Sequence, residues 1–441
     1  MTLALIGFAA VLLLVFLRVP IALAMGSVGL VGYGYETSMQ ASVSMTARLV
    51  TDSARDYGLS VIPLFVLMGL FVNQSGMSRE IYRAANAFLG HWRGGLSMAT
   101  IAACGVFAAI SGSSLATAAT MSRVAMPEMR RYGYSDGLAT ASIAAGGTLG
   151  ILIPPSVILI IYGLLTQTSI ASLFLAGLVP GLLGILFYLA AVAFVVWRKP
   201  ESGPRGERQP WSERLQALKG VGAVVALFVF VIGGLYGILD FWPLNLSFSP
   251  TEAAGMGAMG TFVIALWRRK LPWLALKRAL AETCITSAGL FAILIGAWVF
   301  SNFVNIVGLP EALVAFVTGN DIPPIAVMGL ILLIYIVLGC VFESLSMMVL
   351  TVPVFFPVVS QLGFDPVWFG IVVVVVTEIS LITPPVGLNV FIMRSVVGDV
   401  STGTIFRGVT PFWIADIFRL SVVVLLPAIV LFLPRLLNGA G

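Results

Sequence analysis

The chain has 441 residues, 59% of them hydrophobic and only 10% charged, with a mean hydropathy of +1.05. A soluble domain of this size cannot bury so much apolar surface, so lipid is the expected solvent. Long unbroken apolar runs exclude an alternating β-barrel and leave helices as the spanning elements. The net charge is +5, and the basic residues sit mostly in short loops between apolar runs, where they set topology and give no sign of nucleic-acid binding.

The first residues lack a basic leader, and Arg18-Val19-Pro20 is not a small-residue cleavage site, so 1–17 is expected to remain as membrane structure. Runs 3–17 and 20–34 suggest two short spans hinged at Arg18, one long tilted helix being the alternative. The mixed stretch 37–58 is expected to lie at the interface. Further apolar runs fall at 59–72, 96–122, 137–165, 171–197, 220–239, 251–267, 283–301, 324–342, 345–359, 367–393 and 409–434. One long hydrophilic linker, 198–219, divides the chain. Cys104, Cys284 and Cys340 form no CxxC pair and are expected to be small buried hydrophobes. The lone His91, beside Trp92, suits an interfacial anchor better than a metal ligand.

Arginine and lysine mark 75–95, 123–134, 198–219 and 268–278 as cytoplasmic. Run 96–122 lies between two such loops, so it should enter and leave on one side, as a re-entrant hairpin with its tip near Ser111, Gly112, Ser113 and Ser114. Loops 302–323 and 361–366 carry no Lys or Arg. Run 324–359 between them suggests a second hairpin, opened from the other side, with its tip at Glu343, Ser344 and Ser346.

The sequence also repeats at an offset of about 230 residues. MPEMRRYGY at 126–134 matches FPVVSQLGF at 356–364. LGILIPPSVI at 149–158 matches ISLITPPVGL at 379–388, and LFLAGLVP at 173–180 matches TIFRGVTP at 404–411, slipped by one. The side assignments make the copies inverted, and interrupted helices at matching places in inverted copies point to a transport site.

Pro154-Pro155 and Pro384-Pro385 should each break a helix and free carbonyl oxygens, which are tolerated where they face protein or a water-filled cavity and which suit a hard cation. Thr383, Gly387 and Asn389 border the second break. Packing kinks are the competing reading. At the tips, hydroxyls and a glycine in an apolar run fit either close helix packing or an ion site. Glu343 and Glu378 are isolated charges in the second half; an ionisable residue there is functional by default, and a structural partner to a backbone break is the alternative. No charged residue occurs at 94–121 or 137–197. Coupling in the first half is therefore expected to use neutral oxygens and sodium, not a proton relay. No motif for an intramembrane enzyme is present, and the chain is not expected to be one.

Together GVFAAISGSSLAT at 105–117, MPEM at 126–129, YGY at 132–134, GILIPPSV at 150–157, Tyr162-Gly163 and ITPPVGLNVF at 382–391 resemble the large membrane (M-type) subunit of tripartite ATP-independent periplasmic (TRAP) transporters. The resemblance covers essentially the whole chain. It implies an all-α polytopic protein of the bacterial inner membrane, with inverted repeats, each carrying a re-entrant hairpin and a Pro-Pro-broken helix, working as an elevator. The segments would be scaffold helices and arm at 1–93, a first core repeat at 94–197, linker and scaffold helices at 198–278, and a second core repeat with a C-terminal helix at 279–441.

The resemblance further implies import of an organic acid (a dicarboxylate, sialic acid or sugar acid) delivered by a periplasmic binding protein. A small four-helix membrane subunit would be a separate chain. Sodium would be the coupling ion and no other cofactor is expected. Sodium would sit at Ser111, Gly112, Ser113 and Ser114 with Pro154 and Pro155, and at Glu343, Ser344 and Ser346 with Thr383, Pro384, Gly387 and Asn389. Ser113, Thr117, Ser156 and Asn389 would face substrate. Arg394 is a further candidate, with snorkelling to the interface as its alternative. A stand-alone sodium-coupled carboxylate carrier of the same architecture is the second reading.

Overall fold

The computed structural model describes residues 2–239 and 246–438, apart from the side chains of 108–111 and 224. Every regular element among them is helical. The N-terminal part contributes α1 (Thr2–Phe16), α2 (Ile21–Glu36), α3 (Met39–Arg55), α4 (Val61–Gln74) and α5 (Met77–Leu89). Arg18 takes a left-handed φ of 66° between α1 and α2, so the hinged pair is the arrangement found. The polar stretch 37–58 folds as α3 with a serine N-cap. Helix α5 occupies part of the expected 75–95 loop: its apolar positions recur at helical spacing among charges, too sparsely to register as a span.

Two stretches follow the same order. In the first, α6 (Gly95–Ser111) turns through Gly112 and Ser113 into α7 (Ser114–Arg131); α8 (Asp136–Thr148) breaks before α9 (Val157–Thr166); and α10 (Ile170–Arg198) closes the set. Between the two stretches lie α11 (Trp211–Leu235), α12 (Pro250–Trp267), α13 (Trp273–Ile306) and α14 (Leu309–Gly319). In the second, α15 (Pro324–Gly339) turns into α16 (Ser344–Gln361); α17 (Pro366–Ser380) breaks before α18 (Leu388–Val397); and α19 (Thr402–Leu425) precedes α20 (Pro427–Asn438). Helix α14 falls in the expected loop 302–323, and α11 begins inside the expected linker. The expected run 409–434 is interrupted at Leu426.

Local chemistry explains these boundaries. Ser113, Ser135 and Ser156 cap α7, α8 and α9, and Asp365 caps α17, each accepting a backbone N–H that the helix start leaves unpaired. Gly133 and Gly363 end α7 and α16 in the left-handed region, φ 74° and 82°, where a side chain would be strained. Pro154-Pro155 and Pro384-Pro385 are both cis and occupy the two breaks. Gly177 of α10 lets its backbone approach the first break: a Cβ there would lie 2.3 Å from the Leu152 carbonyl oxygen.

Among the described residues, five helical stretches are long and apolar enough to cross a bilayer: Tyr57–Gln74, Ile170–Arg198, Trp273–Ile306, Ser344–Gln361 and Thr402–Leu425. The bent α11 would make six. At 1.5 Å per residue, the 34 residues of α13 reach about 50 Å, well beyond a hydrocarbon core of about 30 Å. Helix α2 packs closely on α13, because Gly29 meets the Phe300 backbone and Gly296 meets the Ala22 carbonyl. Helix α4 packs on α12 and α13. The two similar stretches interlock: α7 packs on α18 as α16 packs on α9, and α8 on α19 as α10 on α17. The linker is strapped to the base of the first stretch by backbone bonds Gly94–Gly203, Gly206–Gly90 and Ser135–Ser202. Cys104 is buried as expected, whereas Cys340 is half-buried and Cys284 exposed.

Candidate functional site

The two helix–turn–helix tips meet at one carboxylate. Glu378, near the end of α17, is fully buried. The Ser114 hydroxyl donates to its Oε2 at 2.5 Å and the Ser344 hydroxyl to its Oε1 at 2.9 Å. Each serine is the first residue of the helix leaving its turn, so the N-termini of α7 and α16 converge on Glu378. A helix start carries partial positive charge, which favours an anion there. Small residues bring the backbones together. A Cβ on Gly147 of α8 would lie 3.0 Å from the Ser114 carbonyl oxygen, and one on Gly339 of α15 only 1.9 Å from Ser380 Oγ.

In front of the tips lies a cavity of about 480 Å³. Gly112, Ser113 and Ser114 line it from the first turn, and Glu343 and Ser344 from the second. Ile151 and Val157, which flank the first Pro-Pro break, also line it. The opposite wall comes from α4, through Gly69 and Asn73, and from α13, through Glu282, Thr286 and Gly289. The wall is otherwise apolar, so its few polar groups would set the orientation of anything inside.

The remaining sequence candidates divide between the surroundings of this cavity and places outside it. Ser111 lies outside the described side chains. Pro154, Pro155 and Ser156 are buried and lie in the chain between the cavity-lining Ile151 and Val157, and Ser156 caps α9. Thr117 is buried one turn inside α7. Ser346 donates to Glu343 Oε1 at 3.2 Å. The second break reaches the cavity through Leu381, while its prolines do not line it: Pro384 and Pro385 are exposed, Gly387 takes a φ of 59°, and Thr383 donates back to the Ile379 carbonyl at 2.7 Å. Asn389 is fully buried; its Nδ2 donates to the Ala144 carbonyl of α8 at 3.0 Å, while its Oδ1 has no hydrogen-bond partner. Arg394 is not brought to the cavity. Its guanidinium donates to the carbonyls of Gly398 and Val400, closing the end of its own helix.

Oxygen donors of this kind fit a hard cation. The orphaned Asn389 Oδ1, beside α8, and the serine and carboxylate oxygens around Glu378 are oxygen atoms of the type such an ion prefers. Among the described residues no cluster of three His, Cys, Asp or Glu gathers to hold a transition metal.

A second buried polar group escaped the sequence reading. Asp416 and Arg419 of α19 are both fully buried and paired at 2.8 Å. Tyr188 of α10 donates to Asp416 Oδ2 and lies 3.0 Å from the Thr148 hydroxyl, and Arg419 sits 5.9 Å from the Tyr188 ring centre. Charges inside the apolar run 409–434 were the available signal. Glu378 was visible as an isolated charge, but its meeting with Ser114 was not.

Broken helices, convergent turns and a polar-tipped cavity between two groups of helices define a polytopic membrane transporter. The comparisons specify which. The family model described as "Tripartite ATP-independent periplasmic transporter, DctM component" matches residues 8–429, and the chain belongs to that family. It is 35% identical over 402 residues to the C4-dicarboxylate TRAP transporter large permease protein DctM of Pseudomonas aeruginosa, covering 90% of this chain and 91% of the relative. It is 32% identical over 401 residues to the sialic acid TRAP transporter large permease protein SiaM of Vibrio cholerae, at 90% and 91% coverage. The fold is similar to that of the Alcanivorax borkumensis YdaH transporter, with a TM-score of 0.62 at 15% identity over 88% of this chain and 89% of that one. The chain is thus a TRAP large permease, a helical protein of the inner membrane.

Proposed function

We propose that this permease imports an organic acid, of the dicarboxylate, sialic acid or sugar-acid class, delivered by a soluble periplasmic binding protein and driven by a sodium gradient. A small four-helix membrane subunit would brace it. The substrate class is suggested by the names of its relatives, which include permeases for C4-dicarboxylate and sialic acid. The observation that carries the reading is the single cavity lined by both tips and the first break, with Glu378 tying the tips together behind it.

In this reading α6–α10 and α15–α19 are inverted repeats forming a mobile core. The 230-residue spacing of Ser114 and Ser344, and the reciprocal packing of α7 on α18 and α16 on α9, support it. Helices α4 and α13 belong to the fixed scaffold. Their cavity wall is mostly apolar and carries Gly69 and Gly289, a surface along which a core could slide as an elevator with few polar bonds to break. Sodium ions would bind at the tips, through Ser113, Ser114, Ser344 and Ser346, and near Thr383 and Asn389. Cations there would offset Glu343 and Glu378, so that an anion could enter. Arg394, bonded to the carbonyls at the end of its own helix, is left out of the proposed substrate contacts.

Reconstitution with the small subunit and a loaded binding protein tests this. Uptake should require a sodium gradient and all three components. Uptake by the large subunit alone would overturn the tripartite reading in favour of a self-contained carrier. Uptake driven by a proton gradient without sodium would overturn the coupling ion.

A further inference from the structure

A second cavity, of about 530 Å³, adjoins the first: Asn73 and Thr120 line both. Its walls come from the end of α4, the first turns of α5, the middle of α7 and the loop after α12. The charges on these walls are unbalanced. Arg79, Arg83, Arg123 and Lys270 all line it, and among the described residues none is in ion-pair contact with a carboxylate. The one acidic residue lining it, Glu80, is taken by Arg268 at 2.5 Å. The start of α5, at Gly76, Met77 and Ser78, adds the positive end of a 13-residue helix. The inner cavity has the opposite character, with Glu282 and Glu343 on its walls.

Topology accounts for positive residues on this side of the membrane, but not for four of them sharing one concave space that opens onto the tips. A cleft lined by one sign of charge between low-dielectric walls concentrates ions of the other sign. We infer that this vestibule is an anion-binding station through which a carboxylate leaves the tip cavity for the cytoplasm. Glu282 and Glu343 would repel the anion once the accompanying cations have gone, and the four basic side chains would receive it. The exit role rests on the organic-acid reading above; the anion preference does not.

The preference can be measured without transport. Thr120→Cys, at the junction of the two cavities, is introduced with Cys284→Ser and Cys340→Ser. Purified chain in phosphatidylcholine nanodiscs is labelled with an anionic reagent, sulfonatoethyl methanethiosulfonate, and with the cationic trimethylammonioethyl analogue. The anionic reagent should react faster after correction for intrinsic reactivity. Replacing Arg79, Arg83, Arg123 and Lys270 by Gln should lower the anionic-to-cationic rate ratio about tenfold. A ratio unchanged within about twofold would overturn the inference, since steering by four charges is expected to exceed that.

If the fourfold variant does not insert, the parent chain decides: raising salt should slow the anionic reagent selectively, and equal salt dependence for both reagents refutes the idea. Labelling in inside-out vesicles must be faster than in right-side-out ones; the reverse overturns the cytoplasmic exit. A lipid headgroup is the other possible anion. If adding phosphatidylglycerol abolishes the preference, lipid fills the vestibule and the exit role falls; if the preference persists, the space is open to free anions. Should reconstituted uptake fail while the labelling preference holds, the transport reading alone is lost.

Discussion

Replacing Glu378 by Gln removes the charge that the two tips share while keeping the side chain's shape. The carboxylate accepts from Ser114 at 2.5 Å and from Ser344 at 2.9 Å, out of contact with water. A hydrogen bond to a charged acceptor contributes about 1.5–3 kcal/mol, against about 0.5–1.5 for a neutral pair. With Gln, one serine must also turn to accept from an amide nitrogen. The loss is then about 1 kcal/mol per bond, about 2 kcal/mol in all, or roughly thirtyfold in the equilibrium that holds the tips together. Sodium-dependent uptake by the reconstituted three-component system should show a comparably raised half-saturation for sodium. Thermal unfolding of the purified chain should occur at a lower temperature and respond less to added sodium. A double-mutant cycle with Ser114→Ala should give a clear coupling energy. If the two substitutions add to within about 0.5 kcal/mol and the sodium half-saturation stays unchanged, Glu378 does not link the tips and the reasoning fails.

Two further outcomes follow from packing and charge. Gly339→Ala would place its Cβ 1.9 Å from the buried Ser380 hydroxyl, and overpacking of this kind costs about 1–3 kcal/mol; Gly329→Ala, on the same helix with nothing within 4 Å, should not lower the thermal unfolding temperature and should raise it slightly, by helix propensity. At the surface, Arg130 joins Asp136 at 2.9 Å and Asp399 at 2.8 Å, and its guanidinium holds the Asp399 carboxyl below the usual aspartate range. A carboxyl depressed in the folded chain stabilises above its unfolded value and loses that stabilisation as pH falls through its folded value. The parent chain and Asp399→Asn should therefore differ slightly at neutral pH and converge in acid, measured by thermal unfolding; a gap that persists in acid would refute the pairing.

Much of the core was legible because its landmarks are chemically unusual. Pro154-Pro155 and Pro384-Pro385 stand out in any apolar run, and Gly133 and Gly363 mark helix ends that few other residues tolerate. Both turns fell where the hydroxyls were, and the hinge at Arg18 was foreseen. Helices α5 and α14 were not, because short helices lying outside long apolar runs leave no span-like signal. The site's cross-connections were invisible for a different reason. Periodicity reports neighbours three or four residues away, whereas the Asn389 amide finds the Ala144 carbonyl 245 residues earlier and Tyr188 finds Asp416 228 residues later. The cavity wall on α4 and α13 was equally hidden, since nothing local in Asn73 or Glu282 says which helices they will face.

The meeting of Ser114 with Glu378 also sets a timetable for biosynthesis. The serine and its carboxylate are 264 residues apart. At about 5–20 residues per second, the first hairpin leaves the ribosome on the order of 15–50 s before its partner exists. During that interval its serine-tipped turn is in or near the bilayer without the group that later receives its hydroxyl. The finished site cannot grow outward from a completed first half; it closes only when α17, within the last fifth of the chain, arrives.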